Sequence, residues 1–113
     1  MASKSGWTVG YANEAVRKEM WQQPKLVQSR FDKIRARIQD NGLDAISPKY
    51  KEKVEDDIWE LRWRGKDTIV RSLYLQWVGK RVIILVVFTK KTPKIPKHIL
   101  QLARRRAKEV RNA

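Results

Sequence analysis

Residues 86–94 read VVFTKKTPK. An apolar run from Val82 to Phe88 gives way to Lys90 and Lys91, then Thr92, Pro93 and Lys94. Two further cations interrupt apolar segments: Arg62 in IWELRW and Arg71 in IVRSLYL. One reaction runs on such groups alone, the cleavage of RNA by its own 2′-hydroxyl. A base takes the 2′-OH proton, a fixed cation stabilises the phosphorane, and a donor protonates the departing 5′-oxygen. Arginine suits the second role, because it stays charged and its fork matches phosphate oxygens. Lysine suits the first once neighbouring cations and partial burial lower its pKa.

Each of these residues also has a plainer reading. Lys90 and Lys91 can form a solvated strand end. Arg62 can pair with Glu60, two residues away on the same strand face. Arg71 is harder to explain, because a charge inside a middle strand needs a partner or a purpose. Tyr74, opposite to Arg71 by strand parity, reads as a core tyrosine with a tied hydroxyl. His98 reads as a surface or capping residue rather than an acid. Arg104, Arg105 and Arg106 form either a solvated helix face or a surface that meets RNA phosphates without sequence preference.

Other chemistries lack their parts. There is one histidine and no cysteine, and the adjacent Asp56 and Asp57 point oppositely on a strand. The five glycines are scattered and form no phosphate-cradling loop. Neither a metal nor an organic cofactor is expected. The apolar run of seven residues is too short to span a bilayer, and the first ten residues lack the apolar stretch of a signal peptide. Absence of cysteine suits a reducing cytoplasm.

The 113 residues suit one domain over 1–113, with 42% hydrophobic residues to build its core. Twenty-six Lys and Arg face twelve Asp and Glu, a net +14, which points to nucleic acid ahead of a membrane surface or an acidic protein.

The elements that must position these groups follow from periodicity. Trp7, Val9 and Tyr11 alternate as a short strand. Asn13 caps a helix from about Glu14. Pro24 opens a second helix whose Val27, Phe31, Ile34 and Ile38 share one face, and Asn41-Gly42 ends it. Residues 43–56 read as a polar connection. DIWELRWR, TIVRSLYLQWV and RVIILVVF then form an antiparallel meander, turning at Gly65–Asp67 and at Gly79-Lys80. The third of these strands is apolar on both faces and should be central in the sheet. Pro96 opens a last helix, with Leu100, Ala103, Ala107 and Val110 inward and Arg104, Arg105, Arg106, Lys108 and Arg111 outward. The expected fold is α+β in the order β-α-α-β-β-β-α, with the meander packed against helices.

IWELRW, VRSLYL and VVFTKKTPKIP before a basic helix resemble the HigB-type toxins of the RelE/ParE superfamily, including their phage-derived branch. The similarity spans about residues 57–107, and GWTVGYAN fits as well. It implies a RelE/ParE-like fold. It also implies a type II toxin, acting as a ribosome-dependent mRNA endonuclease and held inactive by a cognate antitoxin, often of helix-turn-helix type. Carried over by position, Arg71 becomes the phosphate clamp, Lys90 the base or leaving-group donor, and Arg62 a support for transition-state charge. Lys91, Lys94, Arg104 and Arg105 would contact RNA. The antitoxin would present an acidic segment, and the other partners would be the ribosome and mRNA, with no membrane. No histidine or tyrosine follows His98 to act as the late acid some members use, and Val70 stands where an aromatic is common. Two other readings stay open: a ParE-like poison of DNA gyrase, and a non-catalytic basic module with Trp59 and Trp63 as stacking platforms.

Overall fold

The structure is a computed structural model that describes residues 4–89 and 94–113. Strand β1 (Thr8–Tyr11) leads into helix α1 (Glu14–Trp21) and helix α2 (Lys25–Asn41). Asn13 caps α1 as expected, its side chain accepting the Val16 N–H at 3.0 Å. Helix α2 starts after Pro24 and stops at Gly42, whose φ of 92° favours glycine. Its Val27, Phe31 and Ile38 are buried, and Ile34 packs beside them, so one helical face enters the core.

The polar stretch 43–56 is not a plain connection. It holds a 3-10 turn (Leu43–Ala45) and a further strand, β2 (Lys51–Glu55). KEKVE carries no apolar alternation, because β2 is the outermost strand and charged side chains suit an exposed edge. The order is therefore β-α-α-β-β-β-β-α, one strand more than the periodicity predicts. The meander continues through β3 (Ile58–Arg64), β4 (Ile69–Trp77) and β5 (Arg81–Thr89), all paired antiparallel. The β4–β5 reversal runs over Val78–Lys80, where Gly79 and Lys80 both have positive φ. Strand β1 joins β5 in parallel, giving the sheet order β1-β5-β4-β3-β2. Strand β5 lies between β1 and β4, interior but not central: β4 holds the middle of the sheet, because β1 and β2 add one strand at each end of the meander. Helix α3 (Lys97–Arg111) closes the fold.

Strand parity sorts the side chains into two cores. Leu61, Trp63, Val70, Tyr74 and Ile84 face α1 and α2, while Ile58, Leu73, Leu75 and Phe88 face Ala103 and Ala107 of α3. A register shift between Leu73 and Tyr74 on β4 lets Leu85 and Val86 of β5 both join the α3 side. Helices thus cover both faces of one five-stranded sheet, an α+β architecture of the RelE-like kind. Among the described residues, no helix is long and apolar enough to cross a membrane.

Candidate functional site

Pairing of β3 with β4 sets Arg62 directly opposite Arg71. Glu60, two residues before Arg62, projects from the same face, so three charged side chains meet on the α3 side of the sheet. Arg71 Nη1 lies 3.3 Å from both Glu60 oxygens, and Arg62 Nε lies 3.5 Å from Glu60 Oε1. One carboxylate therefore bridges the two arginines. Arg62 also reaches Glu52 of β2 at 3.7 Å. The Arg71 and Glu60 side chains are 8% and 4% exposed, and Arg62 is 30% exposed. Arg62 is the cation that a dissolved phosphate reaches directly. Arg71 adds its charge from behind, through a desolvated ion pair.

Glu60 is the residue whose part in the site the sequence reading missed. By sequence alone Glu60 is a partner for Arg62 two residues away, and only the β3–β4 register adds Arg71 to the pair. The pair Val70–Thr89 brings the end of β5 beside this cluster. Lys90 and Lys91 follow it in the chain and lie outside the described residues. Lys94 is exposed.

The last helix departs from its expected pattern. Arg106 turns inward and is 9% exposed. Its Nη1 donates to the Leu85 carbonyl at 2.8 Å, and its Nη2 pairs with Glu19 of α1 at 2.9 Å. Glu19 accepts the Val87 N–H through its other oxygen at 3.2 Å. The reason lies in the sheet: β1 ends at Tyr11 opposite Ile84, so β5 beyond that point has no strand neighbour on that side. Two side chains take the place of the missing strand. Arg104 is exposed but forms a two-pronged bond to Glu55, at 2.8 and 2.6 Å, which holds the Glu55 carboxyl below its ordinary value. Arg111 pairs with Asp57. Arg105 and His98 are exposed, His98 as expected.

The two tryptophans of β3 belong to the core. Trp63 is 5% exposed and donates its Nε1–H to the Val27 carbonyl at 3.1 Å, and Trp59 packs against the same cluster. Neither is a free stacking platform. Tyr74 is fully buried on the α1–α2 side, but its hydroxyl has no hydrogen-bond partner among the described residues, contrary to the expected tie. Burial pushes its pKa well above the ordinary 10.0. An orphaned buried hydroxyl costs ~1–3 kcal/mol, so Tyr74→Phe should leave stability unchanged or raise it by up to about that amount. The pH dependence has a definite sign. Above pH 10 the unfolded chain ionises Tyr74 and the native state does not, so stability falls as pH rises. Urea titrations between pH 8 and 11 should show a shallower alkaline loss in the phenylalanine variant. Burial raises Tyr11 as well, so a loss of the same sign persists in that variant.

Among the described residues, no group of three histidine, cysteine or acidic side chains could hold a metal ion. The arrangement offers instead two arginines around one carboxylate, suited to binding an anion. No curated protein matches the chain. The family described as Phage derived protein Gp49-like (DUF891) matches residues 18–108, which takes in α2, the meander and most of α3. With most of its length matched, the chain belongs to the Gp49-like phage-derived protein family, a family of RelE/HigB type associated with the toxins of toxin–antitoxin systems.

Proposed function

We propose that this chain, as a single domain over residues 1–113, is a HigB-type toxin that cleaves mRNA on the ribosome, using the RNA's own 2′-hydroxyl as nucleophile. The observation that carries this reading is the Arg62–Glu60–Arg71 cluster beside the end of β5. Arg62 meets the scissile phosphate, and Arg71 reinforces the positive field there. Glu60 positions both guanidinium groups and is too buried to reach a 2′-hydroxyl itself. Lys90, next in the chain after β5, takes the 2′-OH proton or gives one to the 5′-oxygen, with Lys91 and Lys94 holding the strand. As O2′ bonds to phosphorus, the P–O5′ bond breaks and O5′ leaves with a proton. The products are a 2′,3′-cyclic phosphate and a 5′-hydroxyl. Charge stabilisation in a partly dry site suits this role, since fixed cations act more strongly there than in water.

A toxin of this family implies an antitoxin. For the partner we infer an acidic segment that covers Arg62 and the 90–94 lysines and competes with RNA phosphate. The deciding experiment is mapping of mRNA ends in a reconstituted translation system, with and without ribosomes. New 5′-hydroxyl ends within codons at the ribosomal A site, formed only when ribosomes are present, are the expected result. Unbroken mRNA with normal translation would sink the nuclease and turn attention to gyrase inhibition.

A further inference from the structure

The net charge of +14 is unevenly neutralised. On α3, Arg104, Arg106 and Arg111 each pair with a carboxylate. At the far side of the sheet fewer cations are paired, Arg62 with Glu52 and Glu60 being the exception. Strand β2 begins at Lys51, paired with Leu61, so from Trp63 onward β3 has no strand neighbour on its β2 side. A cleft of about 630 Å³ lies there, between β3, α2 and the segment 45–50. It is lined by Arg30, Lys33, Arg37, Lys49, Arg62 and Arg64, and no carboxylate lines it.

Arg30, Lys33 and Arg37 come from one face of α2, at spacings of three and four. Arg30 is anchored by donating to the Arg64 and Gly65 carbonyls at 3.0 and 3.2 Å. Lys33, Arg37 and Arg64 form no ion pair among the described residues. Tyr50, 46% exposed, stands at the cleft with Lys49 Nζ 5.9 Å from its ring centre. Its carbonyl accepts the Arg62 N–H at 2.8 Å, which fixes its backbone against β3. Like charges gathered without counter-charge are costly unless a polyanion supplies it. An exposed aromatic ring among cations suits a nucleobase stacking beside its phosphates.

We propose that this cleft is a binding site for single-stranded RNA, holding the nucleotides that flank the phosphate at Arg62. Arg62 belongs both to the cleft and to the Glu60–Arg71 cluster, so a strand leaving the cluster enters the cleft around the open edge of β3. The inference rests on the nuclease reading for that continuity, but its test does not require cleavage.

The probe is a fluorescent 2′-O-methyl oligouridylate, which cannot be cut, titrated without ribosomes across a range of salt. Two double variants remove equal charge: Lys33→Gln with Arg37→Gln in the cleft, and Lys97→Gln with Lys108→Gln at exposed positions of α3. Each lost phosphate contact takes ~0.7 from the slope of log K against log salt, so the cleft pair should lower it by about 1.4 and weaken binding roughly 25-fold in 0.1 M salt. The α3 pair should change affinity less than about threefold. Tyr50→Ala should weaken binding about tenfold, the loss of one base stack, while Tyr50→Phe should bind as wild type. Equal losses in the two double variants would mean diffuse charge and overturn the site. Wild-type RNA affinity in Tyr50→Ala, with polyglutamate displaced by the cleft substitutions, would assign the cleft to an acidic polypeptide and also overturn it. Because the probe needs neither ribosome nor cutting, an inactive nuclease would leave a positive binding result standing. Intact cleavage with no cleft binding would sink this inference alone.

Discussion

Arg71→Ala should reduce ribosome-dependent mRNA cleavage by about 10²–10³-fold, the usual cost of removing one preorganised charge from a reacting centre. The substitution also strips Glu60 of a partner held at 3.3 Å on both oxygens. Breaking a buried pair leaves one charge uncompensated and costs ~3–5 kcal/mol. Arg62, 3.5 Å from the same carboxylate, should hold the loss near the lower figure. A drop in activity alone would therefore not separate chemistry from folding. The informative variant removes both charges at once, Glu60→Leu with Arg71→Met. Apolar replacement of a whole buried pair is close to neutral for stability, so this protein should melt near the wild-type temperature and cleave at the background rate. Arg71→Lys keeps the charge but loses the fork, and should fall between. If the double variant cleaved within about threefold of wild type, Arg71 would be a structural residue and the cleavage centre would lie elsewhere.

The same cluster marks how far the sequence could be read. Elements with a strong period were legible: the helical spacing of Val27, Phe31, Ile34 and Ile38, the cap at Asn13, and the alternation of β3 all reappear in the structure. The expected parity of Arg71, opposite to Tyr74, also holds. What failed to show were features that depend on which strands become neighbours. KEKVE has no apolar code, and only its place at the sheet edge makes it a strand. Arg106 sits in a run of three arginines that looks uniformly polar. It turns inward because β1 stops short and leaves backbone groups of β5 to be met. Glu60 looked like half of a surface pair until β4 brought Arg71 across from Arg62. Lysines 90 and 91, foremost in the sequence, lie outside the described residues.

Neutralisation differs between the two basic helices. The carboxylates Glu19, Glu55 and Asp57 come from α1 and the β2–β3 hairpin, and all three are spent on α3 arginines. These contacts fasten α3 to its sheet face. Helix α2 already buries Val27, Phe31 and Ile38 against the other face, so its polar side can remain charged without loss of attachment. The fold thus uses Arg104, Arg106 and Arg111 of α3 for cohesion, whereas Lys33 and Arg37 of α2 form no ion pair among the described residues.

Cohesion through α3 makes the second large prediction. Arg106→Ala should destabilise the protein by about 3–5 kcal/mol, against a total near 5–15 kcal/mol for a domain of this kind. Two losses combine: the Leu85 carbonyl loses its donor at 2.8 Å, and Glu19 loses its counter-charge at 2.9 Å. Glu19→Gln should cost less, roughly 1–2 kcal/mol, because the amide oxygen still accepts the Val87 N–H and only the charge is lost. Arg106→Lys should fall between the two, since one ammonium cannot serve both the carbonyl and the carboxylate as the fork does. Arg105→Ala, at the exposed neighbouring position, should stay within about 0.5 kcal/mol of wild type. Urea denaturation measures all four. Amide exchange adds a local reading, in which Val87 should lose protection in Glu19→Ala before global unfolding does so. An Arg106→Ala variant within 1 kcal/mol of wild type, with Val87 still protected in Glu19→Ala, would mean that β5 holds its open edge without this pair.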